Sequence, residues 1–123
     1  MSGFEAAIAD FSTLLNLDPQ ALAGRDHVAV DIDGVGECHI EALAEEVLLY
    51  LSRPIPVGTD RLALYSAALR SVHFENGLPA QVQCGLSGDQ LIFLGREPYE
   101  DVSVEALEKL LDTLVGLHEA TSG

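Results

Sequence analysis

Gln81-Val82-Gln83-Cys84-Gly85-Leu86-Ser87-Gly88-Asp89-Gln90-Leu91-Ile92-Phe93-Leu94 carries a clear hairpin signal. Two short runs of strand-forming character flank Ser87-Gly88-Asp89, residue types that tolerate a tight reversal of the chain. The stretch reads as a β-hairpin, so the sheet it joins is antiparallel at this point. Just upstream, Asn76-Gly77 and Pro79 break the chain. Before them lies a helix capped by Thr59 or Asp60, with Leu62, Tyr65, Leu69 and Val72 on one stripe and Leu64, Ala67 and Ala68 widening it. Such a helix is apolar around more than the usual arc, and a chain of 123 residues has few elements to cover it. Burial in a dimer is the economical expectation.

Pro54 and Pro56 bracket the loop before that helix. Further back the apolar period is two: Val28, Val30 and Ile32 alternate with Ala29 and Asp31, and Asp33-Gly34 supplies a turn. A return strand puts Cys38, Ile40 and Ala42 on one side and Glu37, His39 and Glu41 on the other. Val47-Leu48-Leu49-Tyr50-Leu51 is apolar on both faces, which suits an interior strand covered twice or a strand whose outer face meets another chain. Three meandering antiparallel strands result, although Glu41 to Leu51 also contains good helix formers and a helix there competes.

At the start, Phe4, Ala7, Ile8, Phe11, Leu14 and Leu15 recur at steps of three and four and share one helical face, which Asp18-Pro19 and Gly24 bring to an end. At the other end Ser103 opens a helix striped by Val104, Leu107, Leu110, Leu111, Leu114 and Leu117, with Glu105 in its first turn. The expected order is helix-β-β-β-helix-β-β-helix. That is an α+β fold, a twisted antiparallel sheet with packed helices, in a single domain over 1–123.

Hydrophobic residues make up 48% of the chain and charged residues 21%, enough apolar surface to fold. The net charge of −14 repels phosphate backbones and anionic lipid heads, so neither nucleic acid nor membrane is an expected partner. No apolar run approaches the roughly 18 residues of a membrane span. Met1-Ser2-Gly3-Phe4-Glu5 lacks the basic start of a signal peptide, and a cytoplasmic location is expected.

Chemistry finds little foothold. Asp31-Ile32-Asp33-Gly34 resembles part of a calcium loop, but that register puts Ala29 and Ile40 where the first and last ligands belong, and a hairpin turn accounts for it better. The phosphate-loop, dinucleotide, serine-hydrolase and H-E-x-x-H patterns are missing. Cys38 and His39 are sequence neighbours, but neighbours on a strand point to opposite faces and cannot act as nucleophile and base. Cys38 and Cys84 read as half-buried free thiols. His27, His39, His73 and His118 come from different elements with no local ligand pair. Glu45-Glu46 and Glu100-Asp101 read as solvated faces. No catalytic residue, metal ligand set or cofactor is expected, which points to binding and not turnover.

In this order the elements resemble the class I type III secretion chaperones, the CesT/SycE-like family of small acidic bacterial proteins that hold a secreted effector before export. The likeness is carried best by the hairpin Gly85 to Leu94, then Val102-Ser103-Val104-Glu105-Ala106-Leu107 and the leucine-striped final helix, and by Phe11-Ser12-Thr13-Leu14-Leu15-Asn16-Leu17 near the start. The resemblance implies a homodimer whose twofold interface is formed by the middle helix and the neighbouring strand, with Leu62, Leu64, Tyr65, Ala68, Leu69 and Val72 of the helix at the interface. It implies a bound effector N-terminal segment that adds a strand to a sheet edge and docks apolar side chains in grooves. The groove residues expected on this basis are Phe4, Ile8, Phe11 and Leu15 with Val47, Leu49 and Leu51, and the secretion ATPase is a further implied partner. Two other readings stand beside this one: a small dimeric enzyme or ligand-binding domain with a pocket between sheet and helices near His39 or Cys38, and a regulator that sequesters a transcription factor.

Overall fold

The computed structural model describes residues 10, 11, 13, 27–74 and 81–122. Its strands are β1 (His27–Ile32), β2 (Gly36–Ala42), β3 (Glu46–Pro54), β4 (Gln81–Ser87) and β5 (Gln90–Pro98), and its helices are α1 (Arg61–Phe74) and α2 (Val104–Ser122). A short 3-10 turn, Tyr99–Asp101, precedes α2. Asp10, Phe11 and Thr13 are helical, while Phe4, Ile8 and Leu15 lie outside the described residues.

The expected α+β architecture is present: one antiparallel sheet in the order β1-β2-β3-β5-β4, with the helices packed on it. Glu41 to Leu51 is strand, interrupted at Leu43-Ala44-Glu45, where the Leu43 N–H donates to the Glu46 carbonyl at 2.8 Å. The competing helix loses because β3 is central. It pairs with β2 on one side and β5 on the other, and that double ladder outweighs the helix propensity of Ala, Glu and Leu.

The hairpin of β4 and β5 closes on two residues, with Ser87 opposite Gln90 and Gly88 at φ 58°, a left-handed conformation that favours glycine. Both helix starts are capped as their sequences imply. Asp60 Oδ1 accepts from the Ala63 N–H at 3.2 Å, and Ser103 Oγ accepts from the Ala106 N–H at 3.0 Å.

Period-two alternation sorts the strand side chains. Cys38, Ile40, Val47, Leu49, Leu51, Leu91 and Phe93 turn toward the helices and are buried, as are Leu107, Leu110, Leu114 and Leu117 on α2 and Ala68 on α1. Phe11, also buried, joins this core. Buried Glu97, near the end of β5, is the acidic residue on that face. Desolvation, and then the nearby Asp101 charge, push its carboxyl above the usual range.

Candidate partner-binding surfaces

The two faces of α1 divide its apolar residues. Leu64, Ala68 and Val72, four apart, pack on the core. Leu62, Tyr65 and Leu69 recur at steps of three and four on another stripe, where Leu62 is 77% exposed, Leu69 45% exposed and Tyr65 half-buried. Of the six residues expected at a dimer interface, Ala68 is fully buried within the protomer and Leu64 and Val72 pack against its core, because their stripe meets the sheet and α2.

The expected effector groove changes in a similar way. Phe11, Val47, Leu49 and Leu51 have almost no accessible surface, so they are core residues of this protomer and not an open groove. The physical reason is the strand period. The inward-facing residues of β3 lie under α2, and the residues between them, Leu48 and Tyr50, are the ones left half-buried on the outer face.

On that outer face the register brings Tyr50 opposite Leu94 and Ser52 opposite Ile92, so Leu48, Tyr50, Ile92 and Leu94 form a half-buried apolar cluster. Beside it three rings stack across three strands. His39 and Tyr50 lie 5.2 Å apart and 6° from parallel, and His27 and His39 lie 5.3 Å apart and 12° from parallel. A hydrogen bond of 3.1 Å joins His27 Nε2 to His39 Nδ1, while His39 Nε2 lies 2.7 Å from Glu37 Oε1. The Tyr50 hydroxyl donates to Glu41 Oε2. Burial, followed by that bond and the Glu41 charge, pushes the Tyr50 phenol up to about 12. Arg96 pairs with Glu46 at 3.2 Å on the same face.

His27 and His39 stand twelve residues apart, with no local ligand spacing between them in the sequence. The hairpin register makes them diagonal neighbours, since Ala29 lies opposite His39 and Glu41 opposite His27. Working out that register from the Asp33-Gly34 turn was the signal that could have paired them.

Cys38 and His39 diverge to opposite faces, and burial pushes the Cys38 thiol up to about 12, which removes the thiolate a nucleophile needs. Cys38 is fully buried and not half-buried, and Cys84 is partly exposed. Among the described residues, no three His, Cys, Asp or Glu side chains are grouped to hold a metal ion. A cleft of about 460 Å³ opens at the β2–β3 turn between Leu43, Ala44, Glu45, Glu46 and Pro98, and neither Cys38 nor His39 lines it. Among the described residues no helix is long and apolar enough to cross a membrane.

The apolar surface described so far in this small acidic α+β domain lies on the outward stripe of α1 and on the half-buried outer face of the sheet. Residues 4–121 match the model of the type III secretory system chaperone SycN, and the chain belongs to that family. No curated protein matches it in sequence. The fold is shared with a chain of the HopA1–SchA chaperone–effector complex, with a TM-score of 0.71 at 17% identity, covering 98% of this chain and 94% of that one. It is also shared with a chain of the heterodimeric ExoU–SpcU complex from the type III secretion system of Pseudomonas aeruginosa, with a TM-score of 0.65 at 17% identity, covering 94% of this chain and 95% of that one. The ExoT–SpcS complex of Pseudomonas aeruginosa gives 0.68 at 16% identity, with 95% of each chain covered.

Proposed function

We propose that this protein is a non-enzymatic cytoplasmic chaperone that binds the N-terminal segment of a type III secreted effector, keeps it soluble and delivers it, export-competent, to the secretion ATPase. It works as a homodimer joined through the outward stripe of α1. The observation that carries the reading is that stripe: Leu62 at 77% and Leu69 at 45% exposure are apolar surface that a lone protomer leaves in water. Family membership and neighbours that are chaperone–effector complexes support the same reading.

Among the described residues β1 pairs with β2 alone, so its other edge offers backbone donors and acceptors to an added strand. Backbone bonds of that kind tolerate many cargo sequences. The net charge of −14 keeps a carrier with uncovered apolar surface from associating with itself indiscriminately.

The test is co-expression with a candidate effector, sought as a larger protein encoded by an adjoining gene, followed by size exclusion and limited proteolysis. A complex containing two copies of this chain, with the cargo's N-terminal segment gaining protection from protease, is the expected result. An unprotected segment overturns the reading.

A further inference from the structure

We infer that the outer face of the sheet, centred on Leu48, Tyr50, Ile92 and Leu94, docks a cargo segment that combines apolar side chains with lysines or arginines. This rests on the chaperone reading and adds to it the chemistry of what is recognised. The inner face of β3 is closed by α2, yet the strand is apolar on its outer face too, and among the described residues neither helix packs there.

The surroundings of the cluster select the occupant. Asp31, Glu37, Glu41 and Glu46 stand on the same face, and the guanidinium there, Arg96, is already paired with Glu46. A second copy of this face would set its own carboxylates against these, and a phosphate-bearing partner would be repelled in the same way. A cationic, partly apolar polypeptide meets no such repulsion.

Two of these carboxylates, Glu37 and Glu41, are also held by hydrogen bonds. His39 engages Glu37, Tyr50 engages Glu41, and the stacked rings lock both donors, so little side-chain freedom remains to be lost when a partner arrives. The apolar cluster supplies affinity, and the ordered acidic border selects for positive charge.

The test uses the full-length protein and two synthetic peptides of about ten residues, a length suited to strands of this size. One alternates leucine with lysine and the other leucine with glutamate. The lysine peptide is expected to bind, shifting the amide resonances of β3 and β5. Its affinity is expected to fall about tenfold in Leu94→Ser and again in the Glu37→Gln/Glu41→Gln pair, while the glutamate peptide stays unbound. Equal binding of both peptides, shifts confined to α1 and α2, or unchanged affinity in the variants overturns the inference.

A second arm captures the N-terminal segment of the candidate effector with the wild type, Leu94→Ser and Tyr50→Thr, each checked for folding by circular dichroism. Capture lost only in the folded variants supports the inference. Equal capture by all three overturns it and leaves the chaperone reading intact, while capture by none, wild type included, overturns both. A change of oligomeric state in the folded variants assigns the face to a second copy and also overturns it.

Discussion

His118, near the end of α2, donates its Nε2–H to the carbonyl of Leu51 in the central strand at 2.7 Å, and its ring meets Phe93 edge-on with centroids 4.7 Å apart. The side chain is buried, and burial is the main reason its pKa lies below the usual value. The bond to Leu51 offsets part of that shift, and the Arg53 charge adds to it. The unfolded chain therefore takes up a proton below about pH 6.5 while the native imidazole resists. Stability from this group is complete above that pH and is lost as pH falls through the native pKa. Urea denaturation of wild type and His118→Gln between about pH 5 and pH 7 checks it. The variant is expected to be less stable at neutral pH but to lose less on acidification. Parallel pH profiles would remove His118 as the source.

Gly95 on β5 faces Leu110 on α2 with no room for a methyl group. An added Cβ would lie 3.0 Å from Leu110 Cγ, and closer still to one of its methyls. Leu110 is buried and cannot swing into solvent, so Gly95→Ala is expected to destabilise by about 1–3 kcal/mol. Combining it with Leu110→Val should recover part of the loss, measured by thermal or urea unfolding. Full additivity of the two changes would show that the close approach is not what constrains Gly95.

The strand and helix pattern was legible because both periods were present: alternation at Cys38, Ile40 and Ala42, and the three-four spacing from Leu107 to Leu117. Caps at Asp60 and Ser103 marked helix starts for the same local reason. The binding surface was less legible. Val47, Leu49 and Leu51 look like Leu48 and Tyr50 in composition, and only the position of α2 decides which set is covered. The His27–His39–Tyr50 stack depends on the register of two strand pairs, a tertiary fact that a linear scan for ligand spacing does not register.

The two faces of β3 should therefore respond differently to truncation. Leu49→Ala is expected to cost about 2–5 kcal/mol and Phe11→Ala about 3–5 kcal/mol, because each empties a fully buried site. Leu48→Ala, on the half-buried face, should cost clearly less. Denaturation midpoints of the three variants provide the comparison, and a Leu48 penalty equal to that of Leu49 would place both faces in the core.

Cys38 and Cys84 should separate in reactivity. Cys38 combines burial with a thiol pushed up to about 12, whereas Cys84 on the edge strand β4 is partly exposed. Alkylation of the native protein at neutral pH, followed by mass spectrometry, is expected to modify Cys84 first and Cys38 only on denaturation. Prompt native labelling of Cys38 would mean that the sheet and α2 open far more often than this packing allows.

Leu62, Tyr65 and Leu69 provide the most direct test of the proposed dimer. They share the outward stripe of α1, whereas Leu64, Ala68 and Val72 on the inward stripe contribute to the fold. Leu62→Asp with Leu69→Asp places charge on side chains that are 77% and 45% exposed, so the protomer loses little of its own packing. If two copies meet here, each substitution buries a carboxylate twice in a symmetric interface, and the penalty is doubled by the symmetry. Sedimentation equilibrium is expected to show a dimer for wild type and a monomer for the double variant, with unchanged far-UV circular dichroism. Ala68→Asp makes the opposite control, since a charge at a site with no exposure should unfold the protomer outright. A double variant that remains dimeric would exclude this stripe as the contact between copies.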